Sequence, residues 1–214
     1  GQTLVSLVRL YQYTGDESYL DAVERAARYY YSFYQERDSV HTYFIAWNVG
    51  PFVELLLERP DEELEQWVFS MADYMVGDQY QPGDRESYVG GFKKRGGGIP
   101  TWSAASMVEP VIEAYRLAEA RGDEERMQRY YDTGRYGLHF LTHLQYRASN
   151  VYELGLANPE KAIGAYHFSH WPEASSISHH FVRCDYMDHF AISILKGLDY
   201  LDLPESYPGP GFSH

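Results

Sequence analysis

Three tight turns constrain the fold of this chain more than any other feature, because each joins two segments with helical periodicity. They lie at residues 14–16, 59–61 and 121–123. In the first segment, apolar residues occupy positions 4, 7, 8 and 11, which is the spacing of one helical face. Gly15 suits the residue after a helix, and Asp16 and Asp61 suit the N-cap of the helix that follows. The pattern predicts an all-α fold of helical hairpins in series.

The connections between the predicted helices fall into two classes, tight turns and long loops. The periodicity predicts seven helices, over residues 2–13, 17–36, 43–58, 61–76, 102–120, 124–145 and 185–202. Short turns join antiparallel neighbours, so all three turns are expected at one end of the array. The loops at 37–42, 77–101 and 146–184 are then expected together at the other end. The loops 77–101 and 146–184 share a short pattern, an aromatic residue after a pair of small residues that contains glycine. The aromatic residues are Phe92 and Tyr166.

Composition and charge bound the class of protein. A chain of 214 residues, 44% of them hydrophobic, can bury one core, so we expect a single domain over residues 1–203 and a Pro/Gly-rich tail over 204–214. The net charge of −13 argues against a nucleic-acid partner. The single cysteine, Cys184, excludes an internal disulfide. No apolar run approaches the roughly 18–20 residues that a membrane span needs, so none is expected.

The hairpin turns resemble those of a known superfamily. Residues 10–20 read Leu-Tyr-x-x-Thr-Gly-Asp-x-x-Tyr-Leu, and a Gly-Gly-Phe insert stands at 90–92. Hairpins and inserts of this kind resemble the (α/α)-toroid or six-hairpin superfamily, which includes glycoside hydrolases, polysaccharide lyases and sugar epimerases. The resemblance implies a glycan or similar polar polymer as partner. It also implies a sugar-binding cleft at the long-loop end, where carboxylates, histidines or tyrosines carry the chemistry.

The chain departs from that superfamily in its number of helices. A complete six-hairpin toroid has twelve helices, whereas seven are predicted here. The first of these is predicted to begin at residue 2. The resemblance therefore implies that the chain is the C-terminal part of a larger toroid. The remainder of that toroid, on the same or another chain, is then expected as a partner.

The last long loop and the helix after it carry most of the candidate chemistry. Asp185, Asp188 and His189 stand at i, i+3 and i+4, on one face of the predicted helix. Together with His167 they form the predicted acid/base group. The two aspartates equally suit an N-cap and the positive end of the helix dipole. Arg183 is predicted to clamp an anionic group of the substrate, or else to pair with Asp185.

Several histidines are alternative candidates for metal ligands. His167, His170 and His179, with carboxylates nearby, have the donor atoms that zinc prefers. Their spacing matches no established zinc motif, so we expect no metal and no other cofactor. His139 and His143, at i and i+4, either chelate an ion or lie at the surface near the end of their helix.

Aromatic and polar residues around the loops are predicted to bind the substrate. Trp102, Trp171 and Tyr166 are expected to stack on sugar rings, and His170 to contact the substrate. Glu109, one or two turns into the fifth helix, is expected to be a buried carboxylate with a raised pKa. The proline that follows it equally favours a kink in the first turns of that helix.

Two functions from different classes follow from these features. The first is an enzyme that acts on a polysaccharide or related polar polymer by hydrolase, lyase or epimerase chemistry. The alternative is a non-catalytic helical-repeat module that binds a glycan or a protein, or a subunit of an assembly. An enzyme should bring the carboxylates and histidines together in one pocket, whereas a scaffold should leave them dispersed and individually capped.

Overall fold

The computed structural model describes residues 1–37, 41–93, 98–166, 168–169 and 184–203. This part of the chain is all-helical and has no β-strand, which confirms the predicted fold class. Its eight α-helices are α1 (Gln2–Thr14), α2 (Glu17–Gln35), α3 (Thr42–Glu58), α4 (Glu62–Asp78), α5 (Ala104–Arg121), α6 (Glu124–His143), α7 (Pro159–Ala162) and α8 (Cys184–Tyr200). Seven of them match the seven predicted helices, and the short α7 lies inside the predicted loop 146–184. None of the described helices is long and apolar enough to cross a lipid bilayer.

The tight turns are fixed by local capping. The side chains of Asp16, Asp61 and Asp123 each accept a hydrogen bond from a backbone amide in the first turn of the following helix, at 2.9, 3.0 and 3.1 Å. Gly15 and Gly122 end the preceding helices with φ of +71° and +66°, a conformation in which a side chain costs energy. These caps are short-range features, which explains why the sequence pattern predicts the turns well.

The chain forms two compact units, and each is assembled from two segments. Unit 1 contains residues 1–77 and 110–131, and unit 2 contains residues 78–109 and 132–214. Helices α5 and α6 contribute residues to both units. All three tight turns belong to unit 1. The single domain expected over residues 1–203 stays a prediction.

Ion pairs gather the tight turns within unit 1. Arg59, in the second turn, binds Asp21 at 2.7 Å and Glu24 at 2.9 Å on α2, the helix that follows the first turn. Arg121, at the third turn, donates through Nε to Glu65 on α4 at 2.9 Å. Solvent screens partly exposed pairs of this kind, so each contributes little to stability by itself. Their positions agree with the prediction that the three turns lie together.

Two long loops in unit 2 share one backbone arrangement. Gln79 follows α4 and forms an antiparallel bridge with Phe92, just as Gln145 follows α6 and bridges Tyr166. In both loops the residue after the glutamine exchanges two backbone hydrogen bonds, of 2.8–2.9 Å, with the residues just before the aromatic one. Phe92 and Tyr166 are both buried. The repeat expected from these two aromatic residues is therefore present in the structure.

A glycine completes the repeated arrangement in each loop. Gly90 and Gly164 have φ of +86° and +89°, and their carbonyl oxygens accept hydrogen bonds from the side-chain amides of Gln79 and Gln145 at 3.2 and 3.3 Å. The two positions differ in their surroundings. A Cβ at Gly90 would stand 1.9 Å from the carbonyl oxygen of Tyr136, whereas a Cβ at Gly164 would meet nothing within 4 Å.

Helix α8 is held in unit 2 through one face. Ser193 Oγ donates to the carbonyl oxygen of Ala105 on α5 at 2.7 Å. Gly197 lies against Leu138 on α6, where a Cβ would come within 2.3 Å of a leucine methyl carbon. This packing brings the first turns of α8 to the first half of α5, where the candidate site lies.

Candidate functional site

A cluster of three charged or ionisable side chains joins α5 to α8 in unit 2. Lys196 Nζ donates to Glu109 Oε1 at 2.6 Å, and His189 Nδ1 lies 3.7 Å from Glu109 Oε2. The side chains of Glu109, His189 and Lys196 are 15%, 11% and 19% exposed. His189 and Lys196 are seven residues apart, which is two helical turns, so both face α5. Two predicted site residues, Glu109 and His189, are thus brought together.

The charge of Glu109 is set by competition between burial and its neighbours. Burial raises the pKa of Glu109, but His189 and Lys196 favour the carboxylate more strongly, and the pKa ends below its ordinary 4.5. The shift is opposite to the raised pKa that we expected from burial alone. At neutral pH, Glu109 is therefore an ionised partner for a cation and does not carry a proton to donate.

Asp188 makes a different contact from the one its spacing suggests. It is exposed, and its Oδ1 accepts a hydrogen bond from the backbone amide of His189 at 2.7 Å. Asp188 is the fifth residue of α8, so this contact joins neighbouring residues inside the helix and is not an N-cap. Helix α8 begins at Cys184, so Asp185 stands inside its first turn.

Tyr166 and Trp102, which were predicted to stack on sugar rings, both make contacts within unit 2. The ring of Tyr166 is 7% exposed and stacks on Phe190, with centroids 3.8 Å apart and planes 16° apart. The half-buried Trp102 donates its backbone amide to the carbonyl oxygen of Phe168 at 2.8 Å. Thr101 and Ser169 form a bridge beside that bond, so two of the long loops contact each other as predicted.

The remaining predicted residues lie outside the described residues. These are His167, His170 and His179 of the metal or acid/base hypotheses, with Trp171 and Arg183. Across the described ranges, no three His, Cys, Asp or Glu side chains are placed to hold a metal ion. The metal hypothesis and the roles of these five residues stay predictions.

A second candidate site is an open groove in unit 1, which we call the α2–α4 groove. Its volume is about 570 Å³. It is lined by aromatic, amide, hydroxyl and carboxylate side chains of two helices: Tyr31 and Gln35 from α2, and Glu62, Glu63, Gln66, Trp67 and Ser70 from α4. This mixture of polar and aromatic groups is typical of sites for polar organic ligands.

The sequence contains a signal for the groove, but it is a spacing pattern on two helices and not a recognised motif. On α4, Glu62, Gln66 and Ser70 recur every four residues, and on α2 Tyr31 and Gln35 have the same spacing. Side chains at i and i+4 share one helical face, so each helix presents a polar stripe. Lys196 also has a signal in the sequence, because it stands at i+7 from His189 and therefore lies on the same face of the predicted helix.

Comparison with known proteins gave no match: no family model, no curated protein and no solved structure matches this chain.

Proposed function

We propose that this chain is a toroid-type helical domain that acts on a polysaccharide or related polar polymer by acid/base chemistry, with His189 as the group that exchanges the proton. The supporting observation is the partly buried cluster of Glu109, His189 and Lys196. A histidine beside an oriented carboxylate is a common arrangement for proton transfer. Glu109 lies beside Nδ1 of His189 and is the acidic partner in this proposal.

Each member of the cluster has a distinct role in the proposed chemistry. His189 takes a proton from a sugar hydroxyl, a ring carbon or water, or returns one, through Nε2. Glu109 faces Nδ1 and stabilises the imidazolium while it holds the proton. His189 and Lys196 together lower the pKa of Glu109 and so keep its carboxylate ionised. Removing the charge of Glu109 should therefore slow turnover without abolishing substrate binding.

The test compares wild-type protein, Glu109→Gln and the control Glu119→Gln on a panel of neutral, acidic and amino polysaccharides. Glu119 is on the same helix but exposed. New reducing ends indicate a hydrolase, a new carbon–carbon double bond indicates a lyase, and solvent deuterium at a ring carbon indicates an epimerase. We expect one of these products from wild type and from Glu119→Gln, and on the order of a 100-fold slower rate from Glu109→Gln. Equal rates in all three proteins would contradict the assigned role of Glu109.

The non-catalytic alternative is favoured by a different observation. The 2.6 Å contact with Lys196 satisfies one oxygen of Glu109 without any need for a histidine, as in a structural ion pair. A binding module would then use the α2–α4 groove and leave every polysaccharide chemically unchanged. Binding without any product in the same panel would support this alternative.

A further inference from the structure

We propose that the α2–α4 groove binds a cationic amino sugar, that is, a hexose unit with a free, protonated amino group. The inference rests on the proposed function, because it assumes a carbohydrate partner, and it deepens it by naming the substrate class. It concerns unit 1, whereas the proposed chemistry lies in unit 2. The argument combines the charge of the groove, the shape of its aromatic floor and its hydrogen-bonding groups.

The lining of the groove is negatively charged. Glu62 and Glu63 are both exposed, and neither lysine nor arginine is among the lining residues. Arg28 lies on α2, three residues before Tyr31, and is paired with Glu24 at 3.1 Å and with Asp61 at 2.8 Å. The groove therefore repels uronic acids and sulfated sugars and attracts an ammonium group.

One further arginine stands beside the groove, and it is already paired. Arg126 binds Asp123 at 2.6 Å and touches the Oε1 atom of Gln66 at 3.5 Å. Its plane also lies over Phe69, 4.4 Å from the ring centroid. Asp123 balances the charge of Arg126, so the two glutamates leave the net charge of the lining negative.

The aromatic floor is too narrow for a neutral sugar to bind by stacking alone. Trp67 is only 7% exposed because Phe44 and Phe52 pack around it, with ring centroids 6.0 and 5.7 Å away. Tyr31 meets Trp67 edge to face, with centroids 5.6 Å apart and planes 74° apart. These rings offer a small apolar edge for the C–H groups of one sugar, so most of the affinity must come from the polar groups of the groove.

The hydrogen-bonding groups of the groove suit the hydroxyls and the ammonium of an amino sugar. Tyr31 donates its hydroxyl to Glu63 Oε1 at 2.9 Å, which orients that carboxylate. Ser70 Oγ donates to the carbonyl oxygen of Trp67 at 2.7 Å and keeps its lone pairs for an incoming donor. Gln35 adds an amide at the exposed rim. A charge-assisted bond from the ammonium to Glu62 or Glu63 is then the strongest single contact.

The experiment compares three β-1,4-linked tetramers, of glucosamine, N-acetylglucosamine and glucose. They share the linkage and differ in charge at one ring substituent. Calorimetric titration gives the affinity, and amide chemical shifts in NMR spectra locate the ligand. At low salt, and at a pH where the amines are protonated and the glutamates ionised, we expect the glucosamine tetramer to bind at least about tenfold more tightly than either neutral tetramer. Shifts should concentrate on the groove residues.

A pair of matched double variants tests the assigned carboxylates. Glu62→Gln/Glu63→Gln removes two charges from the first two residues of α4, and the control Glu124→Gln/Glu125→Gln removes them from the same positions of α6. All four residues are exposed, so both proteins should fold, as circular dichroism can verify. We expect at least about a tenfold loss of glucosamine-tetramer affinity in the first variant and wild-type affinity in the second.

Three results would overturn the inference. They are equal affinities for the three tetramers, equal losses in the two double variants, and binding of 1,4-diaminobutane to the groove as tight as that of the glucosamine tetramer. The proposed chemistry fails separately: groove binding without any turnover contradicts the acid/base role of His189 and supports the inference. Turnover of a glycan without a preference for the amino sugar at the groove supports the acid/base role of His189 and contradicts the inference about the groove.

Discussion

Glu109 shows how neighbours decide the state of a buried ionisable side chain. Its burial opposes the charge, whereas Lys196 at 2.6 Å and His189 at 3.7 Å favour it. The sequence predicted a carboxylate at this position but not its partners, because they lie about 80 residues further along the chain. A pattern within one helix carries no information about which helix packs against it. The direction of the pKa shift of Glu109 could therefore be found only from the structure.

We predict that Glu109→Gln destabilises the protein at neutral pH, by about 1–3 kcal/mol, because Lys196 loses its charged partner. The folded pKa of Glu109 lies below the unfolded value of 4.5, so the carboxylate stabilises the fold above that pH. This contribution is lost as the pH falls below 4.5 through the folded pKa. Chemical denaturation of both proteins should show a difference that shrinks under acid. A constant difference across this range would contradict the account.

His139 gives a second pH-dependent contribution. Burial, together with repulsion from His143 and Arg147, lowers the pKa of His139 from 6.5 to about 4. Between these values the unfolded chain holds more protons than the folded one, so stability falls as the pH drops from 6.5 to 4. We predict that His139→Gln lacks this component. Denaturation curves measure it, and NMR titration of the imidazole checks the folded pKa; a midpoint near 6.5 would refute the prediction.

Two loops show how far a repeat can be predicted from sequence at the scale of elements. The correspondence of Phe92 with Tyr166 was visible in the sequence. The matching glutamines, Gln79 and Gln145, carry the hydrogen bonds, and a Gln-Tyr pair in the sequence follows α4 and α6 alike. This pair alone does not predict the bonds, because it does not say which residues the amides reach. The helices were predictable because caps and periodicity are local. The α2–α4 groove was harder to predict, because a prediction would have to recognise the polar stripes of both helices and also know that the two helices pack together.

The repeat provides a matched pair of substitutions. Gly90→Ala and Gly164→Ala both place a side chain at a φ near +90°, which costs about 1–2 kcal/mol. Only Gly90→Ala also drives a Cβ into the carbonyl oxygen of Tyr136. We expect the midpoint of urea denaturation to fall clearly further for Gly90→Ala than for Gly164→Ala. Equal shifts would show that the close approach at Gly90 is not maintained in solution.

At the scale of the whole molecule, the tight turns and the repeated loops belong to different units. The three tight turns, with their ion pairs, belong to unit 1, and the two repeated loops, with the Glu109–His189–Lys196 cluster, belong to unit 2. The sequence argument expected the loop 37–42 to lie with the long loops 77–101 and 146–184, but residues 37–42 belong to unit 1, as the tight turns do. The separation of all turns from all long loops therefore stays a prediction. The toroid itself remains a proposal, because it is a statement about how many hairpins close into one ring.

The central claim is that His189 exchanges a proton with a glycan. The most direct measurement follows polysaccharide composition over time with wild-type protein and with His189→Gln, at matched concentration and with folding verified by circular dichroism. The account predicts that wild type yields a shortened, unsaturated or epimerised product and that His189→Gln yields at least about 100-fold less. Equal product from both proteins, or none from wild type on any polysaccharide of the panel, would contradict it.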